Sequence, residues 1–390
     1  MEQVRYGIIG LGNQGSSYAL NIFEKGKAKD AVLVAACDNN PVKIESFKKK
    51  TTRDDIVYFS DYKEMLDSGM CDAILVETPH YQHPEMVIEC LNRGINVICE
   101  KPAGVYTKQV REMNEVAKKN NALFALMFNQ RTNCVYRKMK EIIAEGGIGE
   151  LQRVNWIITD WYRTQQYYDS GSWRATWAGE GGGVLINQCP HQIDLVQWVV
   201  GEMPVSVNGF CQYGRWHDIE VEDEVTAFFK YKNGATGVFI TTTGEAPGTN
   251  RLEISGTGGK LLSENGKTLT WYKNAVDSQE HCKTATEGFK KPDKEIIEVE
   301  TDGENPQHAG IINNFTAALL GKEKLFVDGK DGINGVELMN AIELSGWNNA
   351  EEITLPIDED RYLRELNEHR AVSKIKTTED GAAANTAGTY

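Results

Sequence analysis

Short apolar, β-rich runs alternate with amphipathic stretches through the first 125 residues. The runs are VRYGIIG (4–10), AVLVAACD (31–38), AILVET (73–78), INVICEKP (95–102) and ALFALMF (122–128). Between them, YALNIFEKG, PVKIESFKKK, PEMVIECLNRG and TKQVREMNEVAKKN place apolar residues three and four apart, the helical period. Strands that are apolar on both faces and joined through helices predict an α/β fold, a doubly wound parallel sheet with right-handed crossovers. This N-terminal domain is assigned to 1–126.

From about residue 150 the pattern becomes alternating. LQRVNWIITDW (151–161), VSVNGFCQYGRW (205–216), VEDEVTAFFKYKNGATGVFITTTG (221–244) and RLEISGTGGKLLSENGKTLTWYK (251–273) read as strands, with KNG and ENGK as hairpin turns. These predict an α+β domain over 127–358, built on an open, mostly antiparallel sheet. A helix is expected over 183–200, and two more at about 307–320 and 331–348. A C-terminal helix and a polar tail are assigned to 359–390. The tail, TTEDGAAANTAGTY (377–390), has a composition expected to be disordered.

Composition removes several possibilities. The chain has 390 residues, 41% hydrophobic and 25% charged, with a formal net charge of −14. That charge argues against a nucleic-acid partner, which needs a basic surface. No apolar span approaches 18 residues, and the start MEQVRYGIIG lacks the pattern of a secretory leader, so neither a membrane nor export is expected. The eight cysteines are scattered singly, without a CxxC, and read as reduced thiols of a cytoplasmic protein.

Gly10-Leu11-Gly12-Asn13-Gln14-Gly15 follows the first strand and opens a helix, and Asp38 ends the next strand 23 residues beyond Gly15. In that context the glycines mark a dinucleotide-binding, Rossmann-type turn. They let backbone N–H groups approach a pyrophosphate, while the acid accepts from ribose hydroxyls. Asp38 would repel a 2′-phosphate, and Asn39-Asn40 supplies no arginine to neutralise one, so the expected cofactor is NAD rather than NADP.

Two further segments carry chemistry. Glu100-Lys101-Pro102 lies at the C-terminal end of a strand, where ligands of open α/β sheets bind. In Gly181-Gly182-Gly183-Val-Leu-Ile-Asn187-Gln188-Cys-Pro-His191-Gln-Ile-Asp194, a continuous helix would set Asn187, His191 and Asp194 on one stripe. A polar stripe in so apolar a helix needs partners or a ligand.

These motifs resemble those of the Gfo/Idh/MocA family, the group of glucose–fructose oxidoreductase and the inositol dehydrogenases. The resemblance runs over about 1–355. It rests on GIIGLGNQG, Asp38, TPHYQHPEMVIECLNRGINVICEKP, the N-Q-R of FNQRTN and GGGVLINQCPHQIDLVQW. It implies NAD(P)-dependent oxidation of a secondary alcohol, or the reverse, on a sugar or cyclitol, with Lys101 and His191 as catalytic residues. Asn187 and Asp194 complete the catalytic set. The expected cofactor contacts are Gly10, Gly12, Asn13, Gln14, Gly15, Asp38, Thr78, Pro79, His80, His83, Glu100, Lys101 and Asn129. Many sugar-oxidising relatives carry Asp four residues before the histidine. Asn187 stands there in this chain, and an amide can only hydrogen-bond.

The segment DWYRTQQYYDSGSWRATW (160–177) holds six aromatics in 18 residues and is expected to line the substrate cleft. Expected substrate contacts are Trp161, Tyr162, Arg163, Trp173 and Arg174, with Lys101, Asn187 and His191. No metal is expected, because no Cys, Asp or Glu stands beside His80 and His83 to complete a ligand set. The leading expectation is a sugar or glycoside dehydrogenase acting at C3 of a glucose-type unit. A redox-neutral, glycoside-cleaving or eliminating enzyme with tightly held NAD is the second, and an NAD- or sugar-sensing binding protein the third. The open sheet, with one face to cover, is expected to form a homodimer or homotetramer.

Overall fold

The computed structural model describes residues 2–374, and the polar tail expected at 377–390 lies outside the described residues. The chain divides into two compact units. The first comprises the chain up to Asn129, Gly179–Gly181 and Pro306–Val336; the second comprises Gln130–Ala178, Gly182–Asn305 and the chain from Glu337.

In the first unit six parallel strands, β1 (Val4–Ile9), β2 (Ala31–Cys37), β3 (Val57–Phe59), β4 (Ala73–Val76), β5 (Asn96–Cys99) and β6 (Phe124–Leu126), form a sheet of order β3-β2-β1-β4-β5-β6. Helices cover both faces, so β4 is buried at every position. β3 is a strand the sequence pattern did not mark, being three residues long with no buried position. The strand order reverses between β1 and β4, which opens a crevice at their carboxyl ends. Gly10, Asp38, Thr78 and Lys101 all follow carboxyl ends of strands in this sheet. Helix Gln307–Leu319 packs here although it lies far along the chain: Thr316 Oγ1 is 2.8 Å from the buried Tyr6 hydroxyl.

The second unit holds a mixed sheet of β7 (Leu151–Ile158), β8 (Ser206–Tyr213), β9 (Glu222–Lys230), β10 (Thr236–Thr242), β11 (Asn250–Gly256), β12 (Gly259–Glu264), β13 (Thr268–Asn274), β14 (Lys294–Glu298) and β15 (Ile353–Thr354). Its order is β14-β13-β12-β11-β7-β10-β9-β8-β15, antiparallel except for β7 with β10. Asn265 and Gly266 both have positive φ, 55° and 59°, in the three-residue turn between the paired Glu264 and Thr268. One face is buried through Val154, Trp156, Ile158, Phe229, Phe239 and Ile254. On the other, Phe210, Thr226, Ile240 and Ile157 stand in one cross-strand row, and Phe228 and Val238 in the next.

One sequence expectation is corrected. The helix placed at 183–200 spans only Pro190–Val200. Pro190 has no N–H to donate and disfavours helical backbone before it. Residues 183–189 instead form turns, closed by Asn187 N–H to Gly183 O (3.0 Å) and Cys189 N–H to Val184 O (2.9 Å). Asn187 therefore precedes the helix that carries His191 and Asp194, and the three do not share one helical stripe.

Candidate functional site

The glycine turn after β1 is shaped as a dinucleotide cradle. Gly10 has φ +100°, and a Cβ there would meet the Glu77 carbonyl oxygen at 2.5 Å; a Cβ on Gly15 would lie 2.0 Å from the Gly10 oxygen. At Gly12 a Cβ meets nothing, so this is the open side on which a ligand can approach backbone. Asp38 is buried, and its carboxylate accepts from the backbone N–H of Leu11 (2.8 Å) and of Asn40 (2.9 Å). The acid thus ties the turn to the end of β2. An open glycine edge beside a fixed carboxylate fits NAD and disfavours a 2′-phosphate. Asn13 is exposed, and the Gln14 amide faces the Tyr18 hydroxyl.

Around Lys101 the sheet carries a buried acidic pair. Tyr18 donates its hydroxyl to one Glu100 oxygen, and the Lys101 backbone N–H donates to the other at 2.9 Å. Glu77 is buried beside them, with neither carboxyl oxygen finding a partner. Burial first, and then the Glu100 carboxyl, push the Glu77 pKa well up. Burial also raises Glu100, opposed by Lys101 and Tyr18. Glu100 receives both donors, so Glu77 is the member pushed up further. His308 lies against Tyr18 with ring centroids 5.3 Å apart and planes tilted by 49°; burial, then the Lys101 charge, holds its pKa down at about 4.

The TPHYQH residues form the neighbouring strand end. Thr78 Oγ1 donates to Met86 Sδ at 3.4 Å, Pro79 precedes a single helical turn, and His80 Nδ1 lies 3.2 Å from the Glu180 oxygen. His83 is buried, its two ring nitrogens 2.8 Å from Pro102 O and 2.7 Å from Thr78 O. Its ring thereby bridges the Lys101–Pro102 turn and the segment that follows β4. Asn129 donates its amide to Gln307. Among the described residues no group of three or more His, Cys, Asp or Glu is arranged to hold a metal ion.

In the second unit His191 is buried in the first turn of helix Pro190–Val200. Asp194 is held by Arg131 through two hydrogen bonds, 2.7 and 2.6 Å, and by Gln197 at 3.1 Å. The Arg131 guanidinium also lies over the Trp198 ring at 5.3 Å. The turn before the helix is pinned from below, because the buried Glu222 carboxylate accepts from the N–H of Gly183 (2.9 Å) and Leu185 (3.1 Å).

The aromatic segment supplies a centre that sequence reasoning passed over. Three N–H donors converge on the Tyr167 hydroxyl oxygen: Arg174 at 2.9 Å, Asn187 at 3.2 Å and Gln188 at 3.4 Å. The guanidinium carbons of Arg174 and Arg163 lie 4.6 and 5.2 Å from its ring centroid. The Arg174 guanidinium also lies 4.7 Å from the Trp173 ring centroid, and that of Arg163 lies 5.7 Å from the Trp161 ring. Tyr162 is 52% exposed, on the rim. Tyr167 was one of six aromatics in the segment, and nothing in the spacing singled it out. Glu77, Tyr18 and His308 were missed for another reason: each is informative only through neighbours distant in sequence.

Comparison with known proteins matches the two halves of one family. Residues 4–128 match the family model described as the oxidoreductase family with an NAD-binding Rossmann fold, and 136–262 match the Gfo/Idh/MocA C-terminal domain. The chain is 26% identical over 274 residues to the myo-inositol 2-dehydrogenase of Thermotoga maritima, covering 68% of this chain and 77% of that protein. It is 25% identical over 293 residues to the levoglucosan dehydrogenase of Pseudarthrobacter phenanthrenivorans, covering 67% and 74%. The crystal structure of the WlbA dehydrogenase from Bordetella pertussis, in complex with NADH and UDP-GlcNAcA, superposes with a TM-score of 0.74 at 26% identity over 91% of this chain and 100% of that one. This chain belongs to the Gfo/Idh/MocA oxidoreductases, with an NAD-binding Rossmann domain at its N-terminal end.

Proposed function

We propose that the protein is an NAD-dependent dehydrogenase that takes hydride from a secondary ring hydroxyl of a sugar, glycoside or cyclitol, with C3 of a glucose-type unit as the assigned position. One observation carries the reading. A dinucleotide sheet ending in Glu100-Lys101 and a buried His191 at the start of a helix occur in one chain of this family, so both an ammonium and an imidazole are available for alcohol chemistry. Inositol and levoglucosan dehydrogenases among the relatives, and the sugar nucleotide in the WlbA complex, support the substrate class.

In this reading Gly10, Gly12, Gly15 and Asp38 hold NAD, with Asn13, Gln14, Thr78, Pro79, His80, Glu100 and Asn129 around it; His83 contributes by fastening the Lys101 turn. Bound NAD supplies the hydride acceptor. His191 removes the hydroxyl proton as the carbon–hydrogen bond breaks, a task suited to imidazole near neutral pH. The Lys101 ammonium donates to the oxygen that gains charge. Asn187, its amide set by Tyr167, anchors a neighbouring hydroxyl. Asp194 orients the helix that carries His191 from its ion pair with Arg131. Trp161, Tyr162, Trp173, Arg163 and Arg174 provide aromatic faces and donors toward the sugar.

We further place the protein in the cytoplasm as a homodimer or homotetramer. Eight free thiols support the first part. For the second, the support is the row of Phe210, 59% exposed, Ile240 and Ile157 on the outer sheet face. The test is the near-ultraviolet spectrum of the protein with NAD and a panel of methyl glucosides, aryl glucosides and inositols. A reduced-nicotinamide band that grows with one of them, and is lost in Lys101→Met and His191→Ala, is the expected result. A band unchanged by either substitution would remove the catalytic assignment.

A further inference from the structure

The C-terminal helix Glu359–Ala371 lies beyond the stretches that the two family models match, and it is tied into the second unit at a specific place. Tyr362 and Leu366 are fully buried, and His369 continues their face of the helix. Trp347 stacks on Tyr362 with centroids 5.3 Å apart and an interplanar angle of 19°. Trp177, the last aromatic of the 160–177 segment, is enclosed by this group: 5.4 Å from Trp347, 5.1 Å from His369 and 6.1 Å from Tyr213.

Past the helix, the chain is knotted to the same segment through one carboxylate. Glu220 accepts from the Trp177 backbone N–H at 2.7 Å, from the Lys374 N–H at 2.8 Å and from the Ser373 hydroxyl. Its own carbonyl oxygen accepts from the Trp177 indole at 3.1 Å. Ser373 in turn accepts from the Ala178 N–H at 3.2 Å. The stretch so held contains a strained residue, Ala175, buried with φ +51°. A non-glycine residue in that region persists only where its surroundings over-determine it. Arg174, which donates to Tyr167, is its immediate neighbour.

We propose that the C-terminal helix with Ser373 and Lys374 is a brace for the substrate segment, and that Glu220 is a positioning residue whose contacts hold the 174–178 turn so that Arg174 and Tyr167 meet substrate in one arrangement. The inference rests on the reading above that 160–177 faces the sugar. It makes this C-terminal element a determinant of sugar affinity, separate from hydride transfer and from NAD binding.

Glu220→Ala and Ser373→Ala test it in the full chain. Ser373 lies at the surface end of the brace, so its replacement leaves the core intact. Hydrogen exchange of peptides covering 170–178 should quicken by about 10-fold or more, the loss expected for a hydrogen bond to a charged acceptor. With the panel compound that reduces NAD fastest, KM should rise about 5–10-fold, while kcat and the NAD Kd stay within about 2-fold, the signature of lost binding rather than lost chemistry. Ser373→Thr should restore both readouts. Unchanged exchange in both variants overturns the brace. Quickened exchange with an unchanged KM leaves the brace standing and overturns the placement of the segment at the sugar.

Discussion

The ion pair between Arg131 and Asp194 offers a sharp test of how the second unit is held. Its side chains are 2% and 1% exposed, so neither charge is shared with water. Asp194→Leu leaves the guanidinium buried without its carboxylate, and Arg131→Met strands the carboxylate in the same way. Breaking a buried pair from one side costs about 3–5 kcal/mol, because an uncompensated charge remains. At about 2–4 °C per kcal/mol for a unit of this size, each single variant should melt about 10 °C lower. The double variant Arg131→Met/Asp194→Leu removes both charges and should recover most of that loss, since an apolar pair of similar volume is often neutral. Calorimetry of the four proteins at fixed NAD closes the cycle. Single variants melting with the wild type, or a double variant no better than the worse single, would refute the argument.

Other outcomes follow from the geometry. Gly15→Ala places a Cβ 2.0 Å from the Gly10 oxygen and should abolish NAD binding in calorimetric titration. Tyr167→Phe removes the acceptor shared by Arg174, Asn187 and Gln188, and kcat/KM for the sugar should fall about 10–100-fold with the melting temperature nearly unchanged. His308, held at about 4 against an ordinary 6.5, favours the neutral ring in the folded state. Its contribution is therefore complete above pH 6.5 and is lost as the pH falls toward 4, amounting to about 3 kcal/mol. His308→Gln should flatten that part of the urea-stability profile.

Reading the sequence recovered what is periodic and local. Continuous apolar runs marked five of the six parallel strands, and Asn265-Gly266 marked a hairpin turn by its chemistry. The glycine turn, Asp38 and Glu100-Lys101-Pro102 were legible because strand–turn–helix context gives each a physical reason. β3 was not, being three residues with little burial to pattern it. The helix start at Pro190 was misread because the apolar VLI before it continues the helical period, although Pro190 denies it the hydrogen bond. The packing of 306–336 with the first sheet, and the convergence on Tyr167, depend on contacts between distant segments that no local pattern encodes.

Those distant contacts show a common device in the two units. Under the first glycine turn lie Glu77 and Glu100, with Tyr18 donating to Glu100; under the second lie Glu343 and Glu222, with Tyr362 donating to Glu343. A Cβ on Gly10 would strike the Glu77 backbone oxygen, and one on Gly182 would come within 2.6 Å of a Glu343 oxygen. Burial, then the neighbouring carboxyl, raises the pKa of Glu77 and of Glu343 well above the ordinary range. Two carboxyls buried side by side oppose each other's ionisation. In the second pair Glu222 is the member that accepts from the turn's backbone, at Gly183 and Leu185. A glycine-rich turn can approach a ligand because it lacks side chains, and for the same reason it cannot hold its own shape. A buried acid supplies the acceptor that fixes the shape in each case, Asp38 through the Leu11 N–H in the first turn and Glu222 through Gly183 and Leu185 in the second.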